Sequence, residues 1–590
     1  MVKTNMNKGG LNMNKLLRTF LCIALIFLGV RMITVSAAST LTVNLSSTLR
    51  GVTHCASGSL YGITETLPAD ITGLVTPLNP NILNNPARAG SGYQQPIGAA
   101  ITVAGRLQTA APTAKVSIRL ADIYPGWPYA FTNMTDWLNK VSAVISDKKA
   151  SGYTNYYGYE IWNEPDGTWK SSNGDFNSVL WKQTYNLIRS LDSNAKIIGP
   201  SYSYYNHSTM SSFLSYCKNN NCLPDIMGWH ELGGGAGAIP GNISDYRALE
   251  TSLGISALPI SINEYCNTNH NYEGAPGPSA PFIAKFERNK VDSACISWWF
   301  TAYPGRLGSL LASNTAKGGG WWFYHWYGAM SGNMVSVTPP NNASSDVDGF
   351  ACVDSNEKYA SICFGGNNDG TVNVVINGIP SFFGLYARVV VQSVAWSNKD
   401  TAVSAPTLVS QSIKAVSSGS ITLTVTGASS LYGYRIYLTP CASSAITVSS
   451  GHTYKLVNLN SGKVLGITGM STSDGAGAVQ WGDNGTADHH WTITSMNGYY
   501  RLANANSGKV LGVTNMSTAD GAKVVQWSDN GTADHDWTMT DTGSGIYKLV
   551  NRNSGKVLGI SDMSSVDGGQ AVQWSDSGTM DHLWTLVLVN

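Results

Sequence analysis

The chain has 590 residues, 37 basic against 36 acidic, with only 12% charged side chains, while glycine (62), tryptophan (18) and tyrosine (28) are abundant. The length excludes a single hydrophobic core and points to about three or four domains, and the near-zero net charge lacks the basic footprint of a nucleic-acid or anionic-membrane partner, so neither is expected. A low-charge chain rich in rings suits carbohydrate, whose C–H faces stack on aromatics, although a β-rich core accounts for the same composition.

Residues 1–38 read as an export signal: Lys15 and Arg18 precede an apolar run from Phe20 to Val30, and Val35-Ser36-Ala37 supplies small residues before a cleavage site. The run is too short to span a bilayer. A secreted, extracellular protein is therefore expected, with an uncleaved anchor as the alternative. Setting Cys22 aside leaves eight cysteines, an even number that in an exported chain suggests disulfides. Cys217–Cys222 would close a tight loop and Cys352–Cys363 would cross a predicted hairpin. Cys266 and Cys295 lie after or on successive predicted strands, which leaves Cys55 for Cys441. No Cys-x-x-Cys or His-x-x-x-His pairing occurs, so neither a metal nor a cofactor is expected. The sequons at Asn44, Asn133, Asn206, Asn242 and Asn342 matter only where the source glycosylates.

Residues 39–57 open with the alternation Thr40-Leu41-Thr42-Val43-Asn44-Leu45, which predicts a half-buried edge strand of a β-sandwich completed later. Residues 58–332 then alternate short apolar runs with longer amphipathic segments, the pattern of a parallel α/β sheet. Strands are predicted at 60–64, 87–90, 116–120, 158–163, 196–200, 225–230, 259–263 and 294–299, with helices at 134–148 and 179–191. Eight such units predict a (β/α)8 TIM barrel whose active site sits at the C-terminal strand ends.

Two of those ends carry glutamates. Tyr157-Gly158-Tyr159-Glu160-Ile161-Trp162-Asn163-Glu164-Pro165 delivers Glu164 from the fourth strand, and Pro259-Ile260-Ser261-Ile262-Asn263-Glu264 delivers Glu264 from the seventh. Sugar cleavage needs such a pair, one to protonate the leaving oxygen and one to meet the positive charge developing at the anomeric carbon. A surface ion pair at either position is the plainer alternative. Arg88 and Arg119 are predicted on inner strands, where one of them would orient a carboxylate through paired donors. Trp298 and Trp299 close the eighth strand, and one of them is expected as a ring platform beneath the sugar. Tyr124, with Trp127 and Tyr129, sits on a loop after the third strand and is a candidate for more distant sugar contacts. The aromatic helix 321–327 reads as packing.

Asn163-Glu164-Pro165 joined to Glu264 at this spacing resembles the clan A retaining glycoside hydrolases, and the layout over 40–440 most resembles family 39. The resemblance implies that Glu164 is the general acid/base, Glu264 the nucleophile, and Asn163 a ligand of the sugar 2-hydroxyl. His230, at the sixth strand's tip, falls where related enzymes carry a histidine near the nucleophile. Glu231 departs from that pattern, and a contact to substrate and a salt bridge are equally open readings.

Residues 333–441 read as further β-strands, at 359–364, 371–376, 387–393, 421–426 and 432–438, and predict an accessory β-sandwich. Residues 442–590 are a threefold repeat. Tyr454, Tyr500 and Tyr547 each begin a strand leading to Ser-Gly-Lys-Val-Leu-Gly, each unit reaches Val-Gln-Trp at Trp481, Trp527 and Trp574, and each ends at Trp491, Trp537 and Trp584. This resembles the ricin-type β-trefoil of family 13 carbohydrate-binding modules. The resemblance implies sugar binding at Trp481, Asp488, Trp527, Asp534, Trp574 and Asp581, and weak sites in three copies gain avidity on a polymer. Gly466, Gly512 and Gly559 stand where such lectins often carry a sugar-binding aspartate.

The expected function is a secreted retaining glycosidase acting on a polysaccharide or glycan, with the trefoil keeping it near substrate. The alternatives are a carbohydrate-binding or adhesive protein on an inactive barrel, and an inverting hydrolase. Carboxyl separation separates the last, at about 5–5.5 Å for retention and about 6.5–9.5 Å for inversion.

Overall fold

The computed structural model describes residues 38–297, 304–366, 369–416, 418–441, 448–542 and 545–589. The expected leader, all but its last residue, lies outside them, as do Trp298 and Trp299. Strand β1 (Ser39–Gly51) precedes eight parallel strands that close into a barrel: β2 (Gly58–Leu60), β3 (Ile82–Pro86), β4 (Lys115–Arg119), β5 (Tyr156–Glu160), β6 (Ile197–Tyr202), β7 (Ile226–Glu231), β8 (Ile260–Tyr265) and β9 (Ser293–Ile296). Helices α1 (Ala100–Ala110), α2 (Met134–Ser151), α3 (Lys182–Leu191), α4 (His207–Asn219), α5 (Ile239–Leu253) and α6 (Pro276–Arg288) follow β3 to β8 in turn, and α7 (Gly319–Gly328) follows β9.

Local chemistry sets these limits. Helix α2 starts at Asn133, whose side chain accepts from the Asp136 N–H, carries Lys148 and Lys149 in its last turn and stops at left-handed Gly152. The second barrel strand is displaced from the predicted 87–90 to Ile82–Pro86, with Pro86 opposite Arg119. The ladder to β4 closes with one bond beyond the strand, from the Ala87 N–H to the Arg119 carbonyl at 3.0 Å, while Pro86 itself has no N–H to pair. Helix α7 is buried through Trp321, Trp322, Phe323, Tyr324 and Trp326, so its rings are core.

After the barrel, β10 (Asn333–Thr338), β11 (Asp348–Asp354), β12 (Tyr359–Gly365), β13 (Gly370–Asn377), β14 (Tyr386–Val394), β15 (Thr407–Ala415), β16 (Ile421–Ala428) and β17 (Gly433–Pro440) join β1 in one nine-stranded sheet. The order is β15-β14-β17-β12-β11-β10-β1-β13-β16, with β1 antiparallel to β10 and parallel to β13. Strands β10, β11 and β15 are additions to those predicted. The sheet has its own core, including Leu41, Val43, Val374, Leu423 and Ile436. Helix α6 ties it to the barrel. The buried Lys285 ammonium reaches Asp348 at 2.7 Å and Arg288 reaches it at 2.6 Å.

All eight described cysteines are free thiols, so none of the four predicted bridges is formed. In the β11–β12 hairpin Cys352 opposes Ser361 and Cys363 opposes Phe350, a diagonal rather than a facing pair. Cys55 sits against Tyr327 and Cys441 interacts with Arg388. Cys295 approaches the Ile82 carbonyl while Cys266 faces His270. Cys217 and Cys222 are buried neighbours, with the Cys222 N–H donating to the Cys217 carbonyl at 2.9 Å.

The tail forms a twelve-stranded sheet of three similar units. Trp491, Trp537 and Trp584 are fully buried, and each indole donates to a leucine carbonyl (Leu465, Leu511, Leu558) at 2.9, 3.0 and 3.0 Å. These tryptophans hold the trefoil together. No described helix is long and apolar enough to cross a membrane.

Candidate active site

Strand β5 leaves the ladder at Glu160, and Glu164 lies beyond it with φ 51°, in left-handed backbone that a side-chain-bearing residue rarely adopts. The surroundings impose that conformation. The Glu164 N–H donates to the Ser201 carbonyl at 2.9 Å, and its own carbonyl accepts from Gly167 (2.9 Å), Thr168 N–H (2.8 Å) and the Thr168 hydroxyl (2.8 Å). Such strain persists where a side chain must be aimed. Glu264 arrives differently, inside β8 and opposite His230, past a bulge between Trp229 and His230.

The structure brings Glu164, His230 and Glu264 together. Each offers one ligand-type atom, and these atoms lie within 4.8 Å of one another, all buried. His230 Nδ1 is 3.1 Å from Glu164 Oε1, and its Nε2 is 3.8 Å from Glu264 Oε1. Burial opposes charging this imidazole. The carboxylates of Glu264 and Glu164 outweigh it, and the His230 pKa is raised.

Arg119 is the predicted inner arginine that reaches the site. Its Nη1 donates to Glu264 Oε1 at 2.7 Å and to the Tyr61 hydroxyl at 3.2 Å, and its Nε reaches Glu160 Oε2 at 3.2 Å. Asn84 adds a bond to Glu160 at 2.6 Å. Tyr61 and Tyr129 donate to the two oxygens of Asp122, which burial pushes up to about 7 against the pull of Arg119 and both tyrosines. Glu160, Asn84, Asp122 and Tyr61 were missed from the sequence. A charged residue inside the apolar run 157–162, in register with Arg119, was the available signal for Glu160.

Other predicted residues go elsewhere. Arg88 is partly exposed and pairs with Asp147 on the barrel's outside, because the strand that would have aimed it inward ends at Pro86. Tyr124 is buried, donates to Asp136 at 2.8 Å and packs on Trp137, so it supports α2 rather than a sugar. Asn163 lies beside Glu164 with its Oδ1 buried and unpartnered among the described residues.

A cavity of about 620 Å³ opens at this end of the barrel, lined by Glu164, His230, Glu231, Tyr204, Tyr205 and the exposed Trp127 among others. Glu231 shares a strand face with Trp229, whose indole donates to it at 2.8 Å, while Asn242 donates to both its oxygens at 2.9 and 3.1 Å. It forms no salt bridge with lysine or arginine among the described residues. Burial pushes its carboxyl up to about 7 despite those donors. The folded state therefore holds a proton that the unfolded chain releases from about 4.5, and stability declines as pH rises from that value through about 7. Glu231→Gln is expected to flatten this decline by at most about 3 kcal/mol, measured as the difference in urea-unfolding free energy between pH 5 and pH 8. Asp122 contributes a slope of the same sign to both proteins.

In the trefoil, Trp481, Trp527 and Trp574 are each close to half exposed, beside buried Asp488, Asp534 and Asp581. Gly466, Gly512 and Gly559 have a steric cause: a Cβ there would come within 2.4, 2.3 and 2.4 Å of the rings of His489, His535 and His582. The histidine occupies the space that an aspartate would need. In the first repeat a cleft of about 300 Å³ is lined by Trp481, Asn484, Asp488 and His489.

The profile of ricin-type beta-trefoil lectin domain-like proteins matches residues 445–527, 495–574 and 533–589. The solved structure of N2152 from Neocallimastix frontalis is 53% identical, covers 68% of this chain and 100% of its own, and superposes with a TM-score of 0.67. The chain belongs to the family of N2152. Two curated relatives of this N2152-family chain are named glycosidases. A 3-O-beta-L-arabinopyranosyl-alpha-L-arabinofuranosidase of Bifidobacterium pseudocatenulatum is 25% identical over 542 residues, 78% of this chain and 53% of that protein. A 3-O-alpha-D-galactosyl-alpha-L-arabinofuranosidase of Bifidobacterium longum subsp. longum is 28% identical over 360 residues, 55% of this chain and 31% of that protein. The chain thus spans about half the length of the first and about a third of the second. The molecule is multidomain, with an eight-stranded parallel barrel and a C-terminal ricin-type β-trefoil.

Proposed function

We propose that this chain is a secreted retaining glycoside hydrolase of clan A, most like family 39, that cleaves arabinofuranosyl linkages in an extracellular polysaccharide to which its trefoil binds. The observation that carries the reading is the approach of a Glu164 and a Glu264 oxygen to within 4.8 Å, with Arg119 donating to Glu264. That spacing favours retention over inversion, which needs room for a water between the carboxyls. The names of the curated relatives support the arabinofuranosyl part.

In this reaction a Glu264 oxygen attacks the anomeric carbon as the glycosidic C–O bond breaks, and Glu164 passes its proton to the leaving oxygen. The ester removes the charge on Glu264. Glu164, now ionised, takes a proton from water, whose oxygen attacks the anomeric carbon and releases Glu264 as carboxylate. His230 bridges both carboxyls, so the loss of charge on Glu264 weakens its hold on a proton midway through the cycle. Asn163, with its unpartnered Oδ1, receives the 2-hydroxyl.

The test is hydrolysis of a panel of arabinosyl-bearing oligosaccharides and polysaccharides, with anomeric NMR on the first product. Sugar released in the substrate's own configuration supports retention; the opposite configuration overturns it, and polysaccharide binding without cleavage of any panel member favours the lectin-like alternative. The combined Trp481→Ala, Trp527→Ala and Trp574→Ala variant is expected to lose retention on insoluble polysaccharide by about tenfold or more, with kcat on a soluble aryl arabinoside unchanged. Pull-down and initial-rate assays check both halves.

A further inference from the structure

The loop after β8 carries a second cluster. Cys266 Sγ lies 3.3 Å from His270 Nδ1, and one ligand-type atom from each of Cys266, His270 and Glu273 falls within 4.8 Å of the other two. Cys266 and Glu273 are 3% and 1% exposed, and His270 is half-buried at the edge of the catalytic cavity. We propose that Cys266, His270 and Glu273 form a site for one zinc-type divalent cation that fastens this loop to the strand bearing Glu264.

The local fold builds the site. His270–Tyr272 is a 3-10 turn with Glu273 as its C-cap, and in that geometry side chains three apart eclipse one another, which sets His270 and Glu273 on one side. Asn269 fixes the start of the turn by accepting from the Asn271 N–H. Cys266, the residue after β8, then closes the group from the sheet. One thiolate, one imidazole and one carboxylate are donors that zinc accepts, at about 2.3, 2.0 and 2.1 Å, and arms of that length at a tetrahedral angle place sulfur and nitrogen about 3.5 Å apart. The 3.3 Å separation of Cys266 and His270 is close to that edge. A supporting shell is already present: the Ser297 hydroxyl donates to Glu273 Oε1 at 3.1 Å and the Ser309 hydroxyl to Oε2 at 3.3 Å, orienting the carboxylate as outer partners of metal ligands do.

Binding replaces the thiol S–H with an S–metal bond and releases the proton to solvent. Three protein ligands leave a fourth position for water. The consequence is mechanical: Cys266 stands two residues from Glu264, so the ion would tie the His270 wall of the cavity to that strand. The Cys-x3-His-x2-Glu spacing falls outside the paired motifs on which metal sites are sought in a sequence, which is why none was expected.

The test uses the full chain, stripped with chelator and dialysed against equimolar zinc, with bound metal counted by inductively coupled plasma mass spectrometry. One zinc per chain is expected in the wild type and in Glu264→Gln, with affinity weakened by about 100-fold or more in Cys266→Ser and His270→Ala, since losing a ligand exceeds the 10–100-fold cost of losing an outer partner. His270 is partly solvent-exposed, so its alanine variant keeps the test open if Cys266→Ser misfolds. Cobalt in place of zinc should add a thiolate charge-transfer absorption that Cys266→Ser lacks. Metal at background level in the wild type overturns the proposal. So does metal that survives His270→Ala but not Glu264→Gln, which would put the ion in the Glu164, His230 and Glu264 group instead. The readout is metal content, independent of whether arabinosides are cleaved.

Discussion

Glu264→Gln is expected to lower kcat by about 10⁴-fold or more, with the thermal midpoint within a few degrees of wild type. The amide keeps the shape and one acceptor for Arg119 Nη1, but it cannot form the glycosyl ester. Glu164→Gln should behave differently. An aryl arabinoside with an acidic phenol needs no proton donor to leave, so its first step should survive while ester hydrolysis slows, and the ester should accumulate. Intact-protein mass spectrometry during turnover would detect a sugar adduct in Glu164→Gln and none in Glu264→Gln. An adduct in both variants would remove Glu264 as the attacking group. Equal loss on activated and unactivated substrates would remove Glu164 as the acid.

The pair was legible because each glutamate ends a short apolar run, and Arg119 because a lone arginine inside Val116–Leu120 has to find a partner inward. The periodic signal failed where turn chemistry intervened. The second barrel strand ended at Pro86, before Arg88, and Tyr124, on the loop after Arg119, packed onto α2 instead of facing the mouth. Of the three rings named on that loop, Trp127, 53% exposed, is the one that lines the cavity. Glu231 could not be assigned from sequence because its partners, Trp229 and Asn242, are neutral donors and no charge pattern announces them. The repeat in the tail was plain, yet the reason for its glycines lay in three histidine rings that only the packed structure brings against them. Even cysteine number carried little weight: an even count says nothing about whether two thiols face each other.

Arg119→Met is expected to destabilise the protein by about 3–5 kcal/mol, because it leaves buried carboxylates without the cation that compensates them. Glu160 is 0% exposed and Glu264 2%, and the same guanidinium serves both through Nε and Nη1. Arg119→Lys should recover only part of this loss, since one ammonium cannot span two carboxylates and the Tyr61 hydroxyl in the geometry of the planar fork. The cause can be separated from lost packing by a double-mutant cycle. If orphaned charge is responsible, Glu160→Gln in the Arg119→Met background should restore about 1–3 kcal/mol, although Glu160→Gln alone destabilises. Urea-unfolding free energies of the four proteins supply the coupling. Simple additivity would mean that Glu160 does not depend on Arg119, and the arginine's role would then reduce to its bonds with Glu264 and Tyr61. Activity adds a second axis: the Glu160→Gln, Arg119→Met protein should regain stability without regaining turnover, because Glu264 still lacks the donor that holds its Oε1.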